Sequence, residues 1–291
     1  MFPANFEYIS PATLTEAVRF LNEHPEGAKV LAGGQSLIPL LKLRLAAPQV
    51  VVDIGRLKEL QEIRETDDSV EIGSLVRHVE IERSELLARV CPLLPETAAE
   101  IGDMQVRNRG TFGGNLAHAD PAADFPASVL ALGAELFATS TLGERSITAQ
   151  DFFRDLMTTA LYPNEILSSI RVPKPGPRTG SAYVKMHQPA SGFAIVGVAS
   201  VLTLDKGGKV QDIRVGITGV ASVPYRAGKV EERLRGRALH AKEIAQACAA
   251  AAEGVDPLSD LHASAEYRRE LAAIFTRRSI EKATRRAGQK F

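Results

Sequence analysis

Two short glycine pairs, each followed by an amide side chain, constrain this chain more than any other feature. The first lies in Ala28-Lys-Val-Leu-Ala-Gly-Gly-Gln-Ser-Leu37, and the second in Arg109-Gly-Thr-Phe-Gly-Gly-Asn115, about eighty residues later. Adjacent glycines let the backbone turn sharply and approach a ligand with no Cβ in the way. Successive N–H groups in such a turn can form a concave nest suited to a phosphate or diphosphate. In the first stretch Lys29 to Ala32 reads as a short buried strand, and Gly33 and Gly34 break it. Leu37 to Leu45 then carries apolar residues at helical spacing, with Pro39 in the first turn. Strand, glycine turn and helix N-terminus together make an anion-binding geometry. In the second stretch Phe112 reads as a β-type residue before Gly113, Gly114 and Asn115, and Thr111 adds a hydroxyl. Asp124, nine residues past Asn115, supplies a carboxylate for sugar-type hydroxyls. Either loop alone is compatible with a surface turn. Two of them point to one diphosphate held from two sides.

Neither loop belongs to the commoner nucleotide motifs. No Gly-x-Gly-x-x-Gly and no Gly-Lys-Ser/Thr occurs. Ser36 lacks a Gly-x-Ser-x-Gly setting, so a nucleophile reading has no support. The six histidines, His24, His78, His118, His187, His240 and His262, show no ligand spacing. Cys91 and Cys248 form no Cys-x-x-Cys pair, which excludes an iron–sulfur cluster held by this chain and any disulfide framework. The 35 basic and 35 acidic residues cancel, so no global field favours nucleic acid or a membrane surface. Between Ala265 and Phe291 eight Lys or Arg stand against three Glu, which reads as a solvated helix face or, less directly, a docking surface. The N-terminus has no basic region followed by an apolar one, and the longest apolar run, Phe193 to Leu204, is too short to span a bilayer. The expectation is a cytoplasmic chain without a transmembrane segment.

Taken in order, the chain reads as α+β in three parts. Thr13 to Asn22 is expected to be a helix with Thr15 as its cap, and Val50 to Ile54 a buried strand; with the first glycine loop they make a small β-α-β-α-β unit. Strands at Glu62–Glu65 and Ser69–Ile72, helices at Val79–Val90, Pro95–Ile101 and Pro121–Leu132, and strands at Ala134–Thr139 and Ile166–Val172 form a second. Pro173-Lys-Pro-Gly-Pro177 is the clearest linker. Beyond it come three strands, Ser181–Met186, Ala194–Leu204 and Val210–Gly219, then helices near Ala227–Leu234, Ala241–Glu253 and Ala265–Arg285. The divisions fall at 1–57, 58–176 and 177–291.

Ala32-Gly-Gly-Gln-Ser36, Thr111-Phe-Gly-Gly-Asn115 and Asp120-Pro-Ala-Ala-Asp124 resemble the FAD-binding subunit of molybdenum hydroxylases, the xanthine dehydrogenase family, in its carbon monoxide dehydrogenase-like form with a separate medium subunit. The resemblance runs the length of the chain. It implies an FAD-binding fold of the vanillyl-alcohol-oxidase/PCMH type, with two α/β FAD-binding subdomains and a C-terminal domain of a three-stranded sheet plus a helix bundle. It places FAD against Val30, Leu31, Ala32, Gly33, Gly34, Gln35, Ser36 and Leu37, and against Thr111, Phe112, Gly113, Gly114 and Asn115. Backbone around Ile101 and Leu167 is implied on the adenine and flavin, with Asp124 on ribityl or ribose hydroxyls, Lys185 near the cofactor, and Phe193 where relatives carry an aromatic against the isoalloxazine. For three of these a plain structural role competes: a helix-terminal carboxylate for Asp124, a solvent-facing strand position for Lys185, core packing for Phe193.

No catalytic acid or base is expected, because a bound flavin carries the chemistry and the protein tunes it. The family implies an electron-transfer subunit, with the molybdenum cofactor on a large partner and iron–sulfur clusters on a small one, assembled as a dimer of heterotrimers, and an external electron acceptor. Some relatives carry a cluster in this subunit; two isolated cysteines exclude that here. The rivals are a self-sufficient FAD-dependent reductase or oxidase on the same fold, and a non-catalytic nucleotide-binding scaffold.

Overall fold

The computed structural model describes residues 2–289, so Met1 and the last two residues of the C-terminal charge run, Lys290 and Phe291, lie outside the described residues. The chain begins with β1 (Glu7–Ile9), α1 (Leu14–Glu23), β2 (Ala28–Leu31), α2 (Leu37–Leu43) and β3 (Val50–Asp53), whose strands form a parallel sheet in the order β1-β3-β2. α1 buries Ala17, Val18 and Leu21. Its cap is Thr13, whose hydroxyl accepts from the Glu16 N–H at 3.2 Å, not Thr15. Thr13 is the residue with extended backbone, as a cap requires.

β4 (Ile63–Glu65) and β5 (Ser69–Gly73) follow, then six helices: α3 (His78–Glu82), α4 (Glu85–Val90), α5 (Leu93–Ala99), α6 (Met104–Arg109), α7 (Phe112–His118) and α8 (Phe125–Leu132). The single helix expected over Val79–Val90 is two, because Ser84 adopts extended backbone and caps α4 by accepting from Leu87 N–H. β6 (Glu135–Ser140), the hairpin strand β7 (Gly143–Thr148), the short α9 (Ala149–Phe152), β8 (Phe153–Asp155), β9 (Thr158–Thr159) and β10 (Ile166–Pro173) complete this region. Its five-stranded sheet has the order β4-β5-β10-β6-β7 and is antiparallel throughout. Pro173 closes β10 opposite Ser69, so the linker proper starts at Lys174.

β11 (Thr179–His187), β12 (Ala194–Leu204), β13 (Val210–Thr218) and the two-residue β14 (Tyr225–Arg226) form an antiparallel sheet in that order. α10 (Gly228–Leu234), α11 (Ala241–Cys248) and the long α12 (Ala265–Arg286) cover it. Close approaches fix how the layers meet. A Cβ at Gly180 would fall on the Ala283 carbonyl of α12, and one at Gly216 on the Ala127 carbonyl of α8. α8 therefore lies between the second and third sheets, and all eight of its residues are buried. A helix apolar on every side is what such a position demands. α12 is not merely a solvated face: its own Arg268 is buried.

Candidate flavin site

The two glycine loops lie against each other. A Cβ on Gly33 would fall on the Arg109 carbonyl oxygen and within 2.8 Å of Gly110 Cα, and one on Gly114 would lie 3.8 Å from Ala32 Cβ. Gly33 is thus required by the contact between the loops themselves. Gly34 has φ +75°, the left-handed region that favours glycine. Gly113 is pressed onto the backbone and side chain of Ser74.

The second loop is not the nest that its glycines suggest. Phe112, Gly113 and Gly114 are the first turn of α7, with Thr111 as cap. Its amides are taken: Phe112 N–H donates to Val76 O, Gly113 N–H to Ser74 O, Gly114 N–H to Thr111 Oγ1 and Asn115 N–H to Thr111 O, at 2.8 to 3.1 Å. Phe112 sits in the core, edge-on to Phe125. Glycine is a poor helix former, and here a cap and tertiary packing override propensity. The first loop keeps its amides free. Among the described residues, the N–H groups of Gly33, Gly34, Gln35, Ser36 and Leu37 donate to no protein acceptor, and the Ser36 hydroxyl makes no capping bond. On the second loop, Asn115 has a buried side-chain oxygen without a partner. Rotating the amide presents its N–H2 instead. Free amides, a free hydroxyl and an unsatisfied amide side chain suit a diphosphate. Val30 and Leu31, half-buried in β2, support the loop from behind, Val30 paired with Val52 of β3.

A second group surrounds Asp124. Its side chain makes no helix cap; it turns to β11, where Tyr183 Oη donates to Oδ1 at 2.5 Å and Lys185 Nζ to Oδ2 at 2.9 Å. The Lys185 side chain has no exposed surface, which overturns the solvent-facing reading; its ammonium also donates to Glu100 O at 2.9 Å. Burial pushes the Asp124 carboxyl above the usual range, opposed by the Lys185 ammonium and the two donors. Burial, then the Asp124 carboxylate, holds the Tyr183 phenol well above its ordinary value. Tyr183 escaped the sequence reading, although strand alternation places it on the same face as Lys185, two residues on. Ile101 follows Glu100, is buried, and its carbonyl accepts from Arg107 Nη1 at 2.7 Å. Gly102 touches Gly192, bringing in the loop that carries Phe193. Phe193 is 45% exposed, so core packing is not its role.

α6 joins the two groups, running from the Ile101 turn to Gly110 over about 9 Å at the usual helical rise. Leu167 is buried in β10 below α7, and the adjacent Ser168 carbonyl accepts from Ser74, the residue under Gly113. His78 is buried with its Nε2 against Gly110 and its Nδ1 unpartnered; burial, then the neighbouring Arg107, push it down to about 4. Burial also lowers His118, against the pull of Asp120. No cluster of His, Cys, Asp or Glu able to hold a metal occurs among the described residues.

Two family models divide the chain at its proline linker: "FAD binding domain in molybdopterin dehydrogenase" matches residues 4–175, and "CO dehydrogenase flavoprotein C-terminal domain" matches residues 181–283. The chain belongs to this flavoprotein family. It is 37% identical to the 6-hydroxypseudooxynicotine dehydrogenase complex subunit alpha of Paenarthrobacter nicotinovorans, over 99% of this chain and 97% of that one. To the carbon monoxide dehydrogenase medium chain of Hydrogenophaga pseudoflava it is 38% identical, over 97% and 98%. Carbon monoxide dehydrogenase from that organism superposes with a TM-score of 0.95 at 38% identity, covering 98% of this chain and 99% of that chain. Quinoline 2-oxidoreductase from Pseudomonas putida 86 does so with 0.93 at 34% identity, covering 99% and 100%. The fold of this flavoprotein is accordingly the α+β arrangement of the carbon monoxide dehydrogenase medium subunit. No helix among the described residues is long and apolar enough to cross a membrane.

Proposed function

We propose that this chain is the FAD-carrying electron-transfer subunit of a molybdenum hydroxylase complex. The observation that carries the reading is the backbone contact between the Gly33 and Arg109–Gly110 loops, which sets five unpaired amides beside the unsatisfied Asn115. FAD, when bound, supplies the ability to take up and release electrons. The amides from Gly33 to Leu37, with Ser36 and Asn115, hold its diphosphate. Asp124, fixed by Tyr183 and Lys185, orients the polyol chain, while backbone near Ile101 and Leu167 and the exposed Phe193 ring bound the remainder. The three functional parts are 1–57 and 58–176, which share the cofactor, and 177–291, which supplies Lys185 and Phe193.

A large molybdenum-bearing partner and a small iron–sulfur partner complete the complex as a dimer of heterotrimers in the cytoplasm, and an external acceptor reoxidises the flavin. The relatives carry names such as medium chain and complex subunit, which supports this over a self-sufficient reductase. The test is to purify the chain with and without its partners. One FAD per copy is expected in both, with substrate turnover only in the complex. FMN in place of FAD sinks the cofactor reading, and turnover of a specific metabolite by the chain alone favours the reductase.

A further inference from the structure

Arg268, in the second turn of α12, is a charged side chain only 5% exposed, and the flavin site described above makes no use of it. Burying a guanidinium is costly unless its charge is paired and its donors are satisfied. Asp260 supplies the charge, its Oδ2 accepting from Nη2 at 2.6 Å. Nη1 donates to two main-chain carbonyls, Ile195 O at 2.7 Å and Gly219 O at 2.6 Å. These carbonyls lie at the start of β12 and just after β13, both beyond Gly197–Thr218, the last pair of that ladder. Past that pair the guanidinium, rather than the sheet, ties the two strands together. Gly219 has φ +82°, and a Cβ there would fall on the Ala194 and Ile195 carbonyls, so the strand ends are pressed close.

The same two strand ends grip the turn that leads into Asp124. Gly219 N–H donates to Pro121 O at 2.7 Å and Ala194 N–H to Ala122 O at 3.1 Å. The buried Thr218 hydroxyl lies 2.8 Å from both Pro121 O and Ala123 O. Every carbonyl between Asp120 and Asp124 is thus held from β12 or β13. We propose that Arg268 is a positioning residue for the cofactor: by clasping the ends of β12 and β13 it sets the Pro121–Ala123 turn, and through it the Asp124 carboxylate. Tyr183 and Lys185 reach that carboxylate from β11, while the turn fixes its backbone from the neighbouring strands. A carboxylate that must meet a hydroxyl tolerates little displacement, because a hydrogen bond weakens steeply outside a narrow range of distance and angle. The inference rests on the flavoprotein reading above, in which Asp124 orients the polyol chain.

The experiment uses the full chain purified with its partners, with FAD removed and titrated back. It records the FAD dissociation constant, the visible circular dichroism of the bound flavin and the unfolding midpoint. Arg268→Met should weaken FAD binding about tenfold, the scale of one lost bond to a charged group, and alter the flavin dichroism. Arg268→Lys, whose ammonium can sit between the same two carbonyls, should bring binding back to within about threefold of wild type. Ile244→Ala opens a cavity in α11 outside these bonds; it should lower the midpoint and leave FAD binding and dichroism unchanged. Asp124→Asn should itself weaken FAD, and adding Arg268→Met to it should cost little more, because the arginine acts through that carboxylate. If Arg268→Met does not fold, Thr218→Val, which cuts two bonds to the turn, takes its place and should behave likewise. Four outcomes overturn the proposal and leave the flavoprotein reading standing: Arg268→Met that binds FAD like wild type, Asp124→Asn that does so, single losses that multiply in the double variant, or Ile244→Ala that weakens FAD as much as Arg268→Met. Wild type that takes up no FAD overturns both together.

Discussion

His78 offers a test of the structure that needs no cofactor. Its ring is 3% exposed, lies against Gly110 and Phe125, and has Arg107, itself paired with Glu82 at 2.8 Å, as its nearest charged neighbour. No acceptor reaches Nδ1, so a second ring proton would be buried beside a cation without a partner. The imidazole therefore falls from 6.5 to about 4 in the folded chain. Between those values the unfolded chain binds a proton that the folded chain does not, so stability rises with pH across the window. The contribution is present in full above pH 6.5 and is lost as pH falls toward 4. At 1.36 kcal/mol per unit it amounts to about 3 kcal/mol. Other groups titrate nearby, and Asp124, raised by burial, contributes with the opposite slope. The measurement is therefore a difference: urea unfolding by circular dichroism at pH 7 and pH 4.5, for wild type, His78→Gln and His78→Phe. Both variants are neutral throughout, so each should lose about 2–3 kcal/mol less than wild type on acidification. Parallel curves for all three proteins would refute the burial argument.

Replacing Gly114 by valine sets a Cβ 2.6 Å from the Thr111 hydroxyl that caps α7 and pushes branches toward Ala32; FAD should be lost from a chain destabilised by only about 1–2 kcal/mol, read by flavin absorbance and circular dichroism. The cause is steric, since Gly114 is helical and has no positive φ. Lys185→Met leaves Asp124 buried without its cation and should cost about 3–5 kcal/mol. That corresponds to roughly 10 °C in melting temperature, and adding Asp124→Asn should restore most of it. Equal losses for the single and double variants would show that the pair is not coupled.

The legible parts of the fold were those where local pattern and tertiary role agree. Ala194–Leu204 is an apolar run that could only be a buried strand, and it is β12 from end to end. Thr111–His118 failed for the opposite reason. Gly113 and Gly114 argue against helix locally, and the Thr111 cap and the Ser74 packing that decide otherwise involve residues forty positions apart or a hydroxyl that also fits a turn. The site divides in the same way. The glycine pairs announced both loops, but which loop keeps free amides depends on Val76 and Ser74 carbonyls that sequence does not place. Lys185 read as a solvent-facing position because strand alternation does not say which face another part of the chain covers, and here the Glu100 turn covers it.

The contact between Gly33 and the Arg109–Gly110 backbone also has a thermodynamic side. A ligand gripped by both loops binds only when the two are docked, so its binding free energy adds to the cohesion of the parallel N-terminal sheet with the rest of the chain. At a free concentration one hundred times the dissociation constant that addition is about 2.7 kcal/mol. The region from β1 to α2 should then exchange its amide hydrogens faster in the flavin-free chain than in the loaded one, while β12 and α12, which make no part of the grip, exchange alike in both. Cofactor loading would in this way act as a checkpoint on the folding of the first fifty residues.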